Sequence, residues 1–157
     1  MDGTRIHTAR PKTSAAYTST RDRVETYFDR TATKTWERLT SDAPVSGIRA
    51  TVRAGRDEMR QLIIDSLPAD LPGARILDAG CGTGALAFEL AARGADVVGV
   101  DISPQLIDIA QKRAPDTLAR KLSFSAGDML DPALGQFDHV VAMDSLIYYT
   151  ADDIARI

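Results

Sequence analysis

Residues 76–90 read ILDAGCGTGALAFEL: an apolar run, then an acid, three glycines at alternate positions, and a second apolar run. A glycine inside a helix or strand costs about 0.5–1 kcal/mol relative to alanine. Three glycines between a predicted strand and a predicted helix therefore indicate that a ligand approaches the backbone of this loop closely. A glycine loop at this point is the feature from which the fold can be worked out.

Strands and helices alternate around the glycine loop. The pattern predicts strands at 75–79, 95–101, 122–125 and 137–143, and helices at 84–93 and 105–113. Ser103 is the predicted N-cap of the second helix, and Pro104 takes its first helical position. Strand-helix alternation with runs of Val and Ile is typical of a parallel sheet, so we expect an α/β fold.

The chain divides into three predicted parts. Residues 1–20 are polar and form a predicted disordered extension. Residues 21–67 carry apolar and aromatic side chains at helical spacing and form a predicted N-terminal helical segment. Residues 68–157 hold the strands and the glycine loop, and their last residues, ADDIARI, resemble the beginning of another helix. We therefore expect this chain to be the front part of a larger domain.

Composition indicates a globular domain. The 157 residues are 44% hydrophobic and 26% charged, with no apolar run near the ~20 residues that span a bilayer and no apolar centre of a signal peptide. A single cysteine, Cys81, excludes an internal disulfide and fits a cytoplasmic location. His7 and His139 stand without ligand spacing, so we predict no metal site.

Charge is unevenly distributed. Residues 1–60 carry a balance of +4 and residues 61–157 a balance of -7, which gives the net charge of -3. The basic front is either a solvated helix face or a contact for an anionic partner. We expect no nucleic-acid partner.

Two ligands fit the glycine loop by spacing alone. GCGTGA at 80–85, with Asp101 ending the next predicted strand, satisfies the pattern that holds a nicotinamide dinucleotide. Asp78, two residues before the first glycine, would repel a pyrophosphate and attract an ammonium or a sulfonium. S-adenosylmethionine carries both cationic groups and an adenosine. The residues therefore favour the methyl donor.

Three motifs then resemble the class I S-adenosylmethionine-dependent methyltransferases: DAGCGTG at 78–84, VDIS at 100–103 and GD at 127–128. The resemblance implies a Rossmann-like parallel sheet of order 3-2-1-4 with helices on both faces. It also implies an N-terminal helical lid, and later strands that this chain lacks. S-adenosylmethionine is the implied cofactor and S-adenosylhomocysteine the implied product.

The same resemblance implies a role for each matching residue. The glycine loop approaches the methionine portion of the donor, and Asp78 lies near its amino group. Asp101 holds the ribose. Ile102 packs against the adenine, Asp128 reaches the adenine amino group, and the Met129 backbone amide meets a ring nitrogen. Met143 and Asp144, at the end of the fourth strand, border the transferable methyl group.

Stretches at 23–36, 52–60, 101–110 and 131–149 resemble the bacterial magnesium-protoporphyrin IX O-methyltransferases, which esterify a ring propionate in bacteriochlorophyll synthesis. The resemblance implies magnesium-protoporphyrin IX as substrate and the large subunit of magnesium chelatase as its donor. At most peripheral association with the photosynthetic membrane is expected.

For this substrate we predict a lid with three aromatic ring contacts, Tyr27, Phe28 and Trp36. Four arginines are predicted to meet the propionates: Arg21, Arg23, Arg30 and Arg53. Tyr27 and Tyr148 are the predicted catalytic residues, with a role in positioning the substrate.

Two alternatives stay open. The chain could methylate another small molecule, such as a quinone or a lipid, and share only the cofactor half. It could also be a non-catalytic domain that binds a nucleotide-like ligand or a partner protein. The absence of a catalytic dyad does not separate these alternatives, because a propionate is already ionised at pH 7 and needs no strong general base.

Overall fold

Helices occupy the first part of the computed structural model, which describes residues 15–41, 44 and 47–155. They are α1 (Ala15–Tyr27), a π-helical turn (Phe28–Ala32), α2 (Thr33–Leu39) and α3 (Ile48–Asp65). The predicted helical segment is therefore present.

The boundary that we predicted for the extension is wrong for residues 15–20, which are helical, while residues 1–14 lie outside the described residues. Tyr17 is buried. Tyr17, Arg21, Val24 and Phe28 recur at spacings of four, three and four, so they share one helical face that extends a turn earlier than predicted.

A four-stranded parallel sheet follows, formed by β1 (Arg75–Ala79), β2 (Asp96–Asp101), β3 (Leu122–Ala126) and β4 (His139–Val141). Its order, β3-β2-β1-β4, confirms the predicted order. β4 is shorter than predicted because its pairing with β1 covers only three residues of each strand.

Three helices follow strands. α4 (Ala85–Ala92) joins β1 to β2, α5 (Pro104–Arg113) joins β2 to β3, and α6 (Ala151–Ile154) comes after β4. The predicted start of α5 is confirmed, since the Leu106 N–H donates to Ser103 Oγ at 3.3 Å and Pro104 takes the first helical position.

One face of the sheet carries the main core. Ile76 and Val97 are buried there against Ile64 of α3 and Leu90 of α4. Tight burial follows from the near-continuous apolar runs of the central strands.

The opposite face is covered differently. Leu77 and Val100 pack there against Met129 and Phe137 in the connection from β3 to β4. Within the described part of that connection, the helical structure is a 3₁₀ turn, Pro132–Leu134. On this face, the connection from β3 to β4 therefore contributes that short turn.

The sheet brings the ends of its strands to one edge. The N–H groups of Gly80 and Cys81 both donate to the Val100 carbonyl, at 2.8 and 3.1 Å, so the glycine loop is bound to the end of β2. In parallel α/β sheets, ligands bind at this edge. No helix in the described ranges is long and apolar enough to cross a membrane.

Candidate active site

A cleft lies along the carboxyl ends of the strands, under the N-terminal helices. It consists of two adjacent cavities of about 630 and 410 Å³, which share Trp36, Gly80, Gly82, Leu106 and Met143.

The structure places most of the predicted site residues on this cleft. The larger cavity is lined by Gly80, Gly82, Asp101, Ile102, Asp128, Met129, Met143 and Tyr148. Asp78 lines the smaller cavity. Gly84 and Tyr27 line neither.

Asp101 ties the glycine loop to the end of β2. Its Oδ2 accepts from the Gly82 N–H at 2.8 Å, and its Oδ1 accepts from the Ser103 N–H at 2.9 Å. Burial raises the pKa of this carboxyl, and the two amide donors oppose the shift. The residue therefore orients the loop and also presents carboxylate oxygens to the cleft.

Asp78 is a buried acid without a counter-charge. Its side chain is buried, and Oδ2 has no hydrogen-bond partner among the described residues. Burial, followed by the charge of Asp101, raises the pKa of Asp78 to about 7. Buried polar atoms are normally paired, so this one indicates a place for a cationic ligand.

The three loop glycines serve different purposes. A Cβ at Gly80 would lie 2.3 Å from Ser145 Cβ, and one at Gly84 would lie 2.8 Å from Phe88 Cζ, so both positions are needed for packing. A Cβ at Gly82, where φ is +54°, would meet no heavy atom within 4 Å. Of the three loop glycines, Gly82 is the one whose Cβ position is empty, as close approach of a ligand requires.

Asp128, at the end of β3, is held by α1. The Tyr17 hydroxyl donates to its Oδ1, which also accepts from the Leu130 N–H at 2.8 Å. Arg21 lies 3.6 Å from its Oδ2, and Tyr17 stacks on Tyr149 with ring centroids 5.3 Å apart. Burial and the bond to Asp128 raise the pKa of Tyr17, so its phenol stays a neutral donor.

Sequence reasoning missed Tyr17, because it lay in the stretch assigned to disorder. The helical spacing of Tyr17 to Arg21, Val24 and Phe28 is the signal that could have found it.

The turn between α1 and α2 is anchored on α5. Ser103 Oγ donates to Asp29 Oδ1 at 2.5 Å, and Gln105 Nε2 donates to the Asp29 carbonyl at 2.9 Å. Arg113 Nη2 donates to the Glu37 carbonyl at 3.1 Å. The N-terminal helices are therefore attached by side chains that are distant in sequence.

An aromatic cluster forms the cover of the larger cavity. Phe28 lies 5.8 Å from Trp36 and 5.9 Å from Tyr148, measured between ring centroids. Tyr27 packs edge-on against Phe28 and is 50% exposed. The structure thus brings Tyr148 to the cleft, and it does not support the predicted substrate contact of Tyr27.

Among the four arginines predicted to meet propionates, Arg21 lines the cleft. Arg53 is engaged elsewhere, because it donates to the carbonyls of Leu39 and Arg38 at 3.0 and 2.7 Å and so caps the end of α2. Arg23 and Arg30 are exposed and line neither cavity.

Cys81 lies between the first two glycines of the loop. Cys81 is buried, and burial raises the pKa of its thiol well above the usual value, as expected for a loop filler rather than a nucleophile. The described residues contain no cluster of side chains that could hold a metal ion.

A family model described as a methyltransferase domain matches residues 76–157, from β1 through the cleft and beyond β4. The chain belongs to this methyltransferase domain family. The residue range of the match contains the glycine loop and the ends of all four strands.

The chain is also similar to magnesium-protoporphyrin O-methyltransferases, over more of its length than the family model matches. The chain is 65% identical to magnesium-protoporphyrin O-methyltransferase of Rhodobacter capsulatus, over 90% of this chain and 63% of the relative. It is 34% identical to the protein of that name from Synechocystis sp., over 83% of this chain and 58% of the relative.

The crystal structure of magnesium protoporphyrin IX methyltransferase from Synechocystis PCC 6803 with bound SAH superposes with a TM-score of 0.74. The two chains are 31% identical, and the match covers 87% of this chain and 64% of that one. The chain thus spans less than two thirds of the length of these relatives.

Proposed function

We propose that the protein is an S-adenosylmethionine-dependent O-methyltransferase that converts a propionate of magnesium-protoporphyrin IX into its methyl ester. The observation that carries the donor assignment is the buried Asp78 Oδ2, which has no hydrogen-bond partner among the described residues, beside the open space at Gly82. The 65% identity to the Rhodobacter relative over 90% of this chain supports the substrate.

The donor fits the charges of the cleft. Asp78 would pair with its ammonium, and Asp101 would accept hydrogen bonds from its ribose hydroxyls while still holding the Gly82 amide. Asp128 Oδ2, which faces Arg21 at 3.6 Å, would accept from the adenine amino group. Ile102 and Met129 add apolar contact to the wall of the same cavity.

Methyl transfer to a propionate requires no strong general base from the protein. When bound, S-adenosylmethionine supplies a methyl group activated by its sulfonium. The propionate is ionised at pH 7, near a reference pKa of ~4.3, so the residues need only orient it and exclude water. Positioning of this kind can supply ~7–11 kcal/mol.

The residues at the end of β4 are placed to do this positioning. Met143, Asp144 and Tyr148 line the larger cavity, and the Tyr148 ring contacts Phe28 edge-on. Asp144 has a φ of +61°, which is uncommon for a residue other than glycine and tends to occur at functional sites. We assign Tyr148 and Phe28 to contact with the porphyrin ring.

Delivery of the porphyrin and the place of the reaction are further parts of the proposal. We propose the large subunit of magnesium chelatase as the porphyrin donor, and peripheral association with the photosynthetic membrane. A basic surface supports the second point: Lys34, Arg38 and Arg49 line one depression next to Ile48, which is 84% exposed. Such a surface suits anionic lipid headgroups. Co-sedimentation of the protein with anionic and neutral vesicles would test it.

The experiment that tests the function is a transfer assay on the full-length protein. Magnesium-protoporphyrin IX and methyl-labelled donor should give the labelled monomethyl ester, and Asp78→Asn should lose most of that product. Catechol-type quinols and lipid acceptors serve as competing substrates. Labelled product from one of those, with none from the porphyrin, would indicate a methyltransferase that acts on a quinone or a lipid instead. Binding of NAD in place of S-adenosylmethionine in calorimetry would contradict the donor assignment.

A further inference from the structure

A π-helical turn, Phe28–Ala32, connects α1 to α2 in the cover of the cleft. Its first residue, Phe28, lines the larger cavity. Turns of this kind are rare and are often found at functional sites. The contacts that hold this turn therefore bear on how the cover is placed over the cleft.

Two neighbouring residues of the turn reach different parts of the molecule. The Phe28 ring contacts the rings of Trp36 and Tyr148 in the cover. Asp29 is bound to α5 instead, where its Oδ1 accepts from Ser103 Oγ at 2.5 Å. The residue that attaches the turn and the residue that the turn directs into the cleft are therefore adjacent in sequence.

The bond between Ser103 and Asp29 is the stronger part of this attachment. Ser103 is fully buried, and a short bond from a hydroxyl to a carboxylate is about twice as strong as a neutral one. Loss of the carboxyl would leave the buried hydroxyl without this acceptor, which is costly. The bond from Gln105 Nε2, at 2.9 Å, reaches only the main-chain carbonyl of Asp29 and does not involve its side chain.

The geometry of the turn explains why its attachment matters for Phe28. Thr33 Oγ1 donates to the Phe28 carbonyl, so the turn is also bonded from its α2 side. Since π turns are rare, a turn that loses its attachment is expected to relax to a regular α-helix. That change would rotate Phe28 by about 100° relative to Trp36, the rotation of one residue in a helix of 3.6 residues per turn. Phe28 therefore keeps its place on the cleft while the turn is held.

We propose that Asp29 is a positioning residue for the porphyrin and acts through Phe28. Its bond to Ser103 holds the π turn, and the turn holds the Phe28 ring at the place of the macrocycle. The inference rests on the proposed function, because it takes Phe28 as a contact of the porphyrin. The donor is little affected, since Ser103 binds Asp101 through its main-chain N–H and not through its hydroxyl.

The test measures the affinities for two ligands separately on the full-length protein. Magnesium-protoporphyrin IX is titrated by its own fluorescence, and S-adenosylhomocysteine, which has no methyl group to transfer, by calorimetry. Asp29→Ala should weaken porphyrin binding by about tenfold, the value of a hydrogen bond to a charged group, and leave the affinity for S-adenosylhomocysteine within about threefold of wild type. Asp29→Asn keeps an acceptor for the Ser103 hydroxyl and should restore porphyrin binding to within about threefold of wild type.

A double-mutant cycle tests whether Asp29 acts through Phe28. Phe28→Ala should weaken porphyrin binding by itself, and the addition of Asp29→Ala should then weaken it by less than about threefold more. Glu37→Ala is the matched control. The Glu37 side chain is exposed on α2 and lines neither cavity, so porphyrin affinity should not change.

The outcomes separate this inference from the proposed function. Wild-type protein that binds no porphyrin contradicts both. Unchanged porphyrin affinity in Asp29→Ala, or a loss of full size when Phe28 is already alanine, overturns the role of Asp29 and leaves the proposed function standing. An equal loss of affinity for both ligands with a lowered melting temperature also overturns it, because Asp29 would then only support the fold.

Thr33→Val serves as the test if the melting temperature shows that Asp29→Ala does not fold. It removes the hydroxyl that donates to the Phe28 carbonyl and keeps the shape of the side chain. It should weaken porphyrin binding and spare the binding of S-adenosylhomocysteine in the same way. Unchanged porphyrin affinity in this variant would overturn the role of the turn.

Discussion

The floor and the cover of the cleft are held together by different contacts. The floor is the glycine loop, whose Gly80 and Cys81 amides bond to the end of β2 and whose Gly82 amide bonds to Asp101. The cover is the N-terminal helical segment, attached through side chains such as Tyr17 on Asp128 and Ser103 on Asp29. Bonds donated by main-chain amides define the floor, whereas a few long-range side-chain contacts define the cover.

This difference indicates how the two regions contribute to ligand binding. Changes in the floor alter the backbone that the donor touches, so their effects on affinity are large. A substitution in the cover removes one of several side-chain contacts, so its effect on affinity is smaller. α1 nevertheless reaches the donor side of the cleft, since Arg21 lines it together with Asp101 and Asp128.

The largest effect is expected from Gly82→Val. A branched side chain resists a φ of +54° and fills the open space at this position, so donor affinity should fall by about 100-fold or more. Calorimetry with S-adenosylmethionine measures the change. Gly55→Ala, in the middle of α3 where a Cβ meets no atom within 4 Å, is the control. Retained affinity in a folded Gly82→Val variant would mean that the loop does not touch the ligand.

A second effect on the floor is expected from Asp101→Ala. The ribose and two amides lose a charged acceptor, which should weaken donor binding by about 1–3 kcal/mol. Asp101→Asn keeps the shape and one acceptor, and should lie between wild type and alanine. Equal affinity for all three proteins, each shown to be folded, would remove Asp101 from the ribose site.

The cover should show the smallest effect. Tyr17→Phe keeps the ring that stacks on Tyr149 and removes only the hydroxyl that donates to Asp128, so donor affinity should fall by about 0.5–1.5 kcal/mol. Tyr27→Phe, on the exposed end of α1, is the matched control and should change nothing. A loss with Tyr27→Phe as large as that with Tyr17→Phe would argue against a specific role for the Asp128 contact.

The sequence predicted the floor far better than the cover. The Ser103 cap follows from a local pattern, and the strand order was implied by the resemblance to the class I methyltransferases; the structure confirms both. The alternation of strand, glycine loop and helix is likewise visible over a few residues. Tyr17 donates a hydrogen bond to Asp128, 111 residues away in the sequence, and Arg56 donates one to Asp144, 88 residues away. A helical pattern does not identify such partners. The placement of the N-terminal helices depends on tertiary contacts of this kind.

Asp78, the buried acid of the floor without a cationic partner in the described part of the chain, allows the most direct test of the donor assignment. In the free protein, Asp78 has its pKa raised to about 7 by burial and by Asp101. An acid with a raised pKa favours the folded state while protonated, and that contribution is lost as the pH rises from 3.8 through about 7. A cationic ligand reverses the preference, because its ammonium stabilises the ionised carboxylate and lowers the pKa of Asp78.

The measurement is calorimetry of S-adenosylmethionine binding from pH 5.5 to pH 8, in buffers of different ionisation enthalpy. Affinity should fall as the pH drops below 7, by up to about tenfold per pH unit, with protons released on binding. Above pH 7 it should level off, and Asp78→Asn should bind weakly at every pH without this dependence. Binding that stays equally tight from pH 5.5 to pH 8 and releases no protons would contradict the pairing of Asp78 with the donor's ammonium.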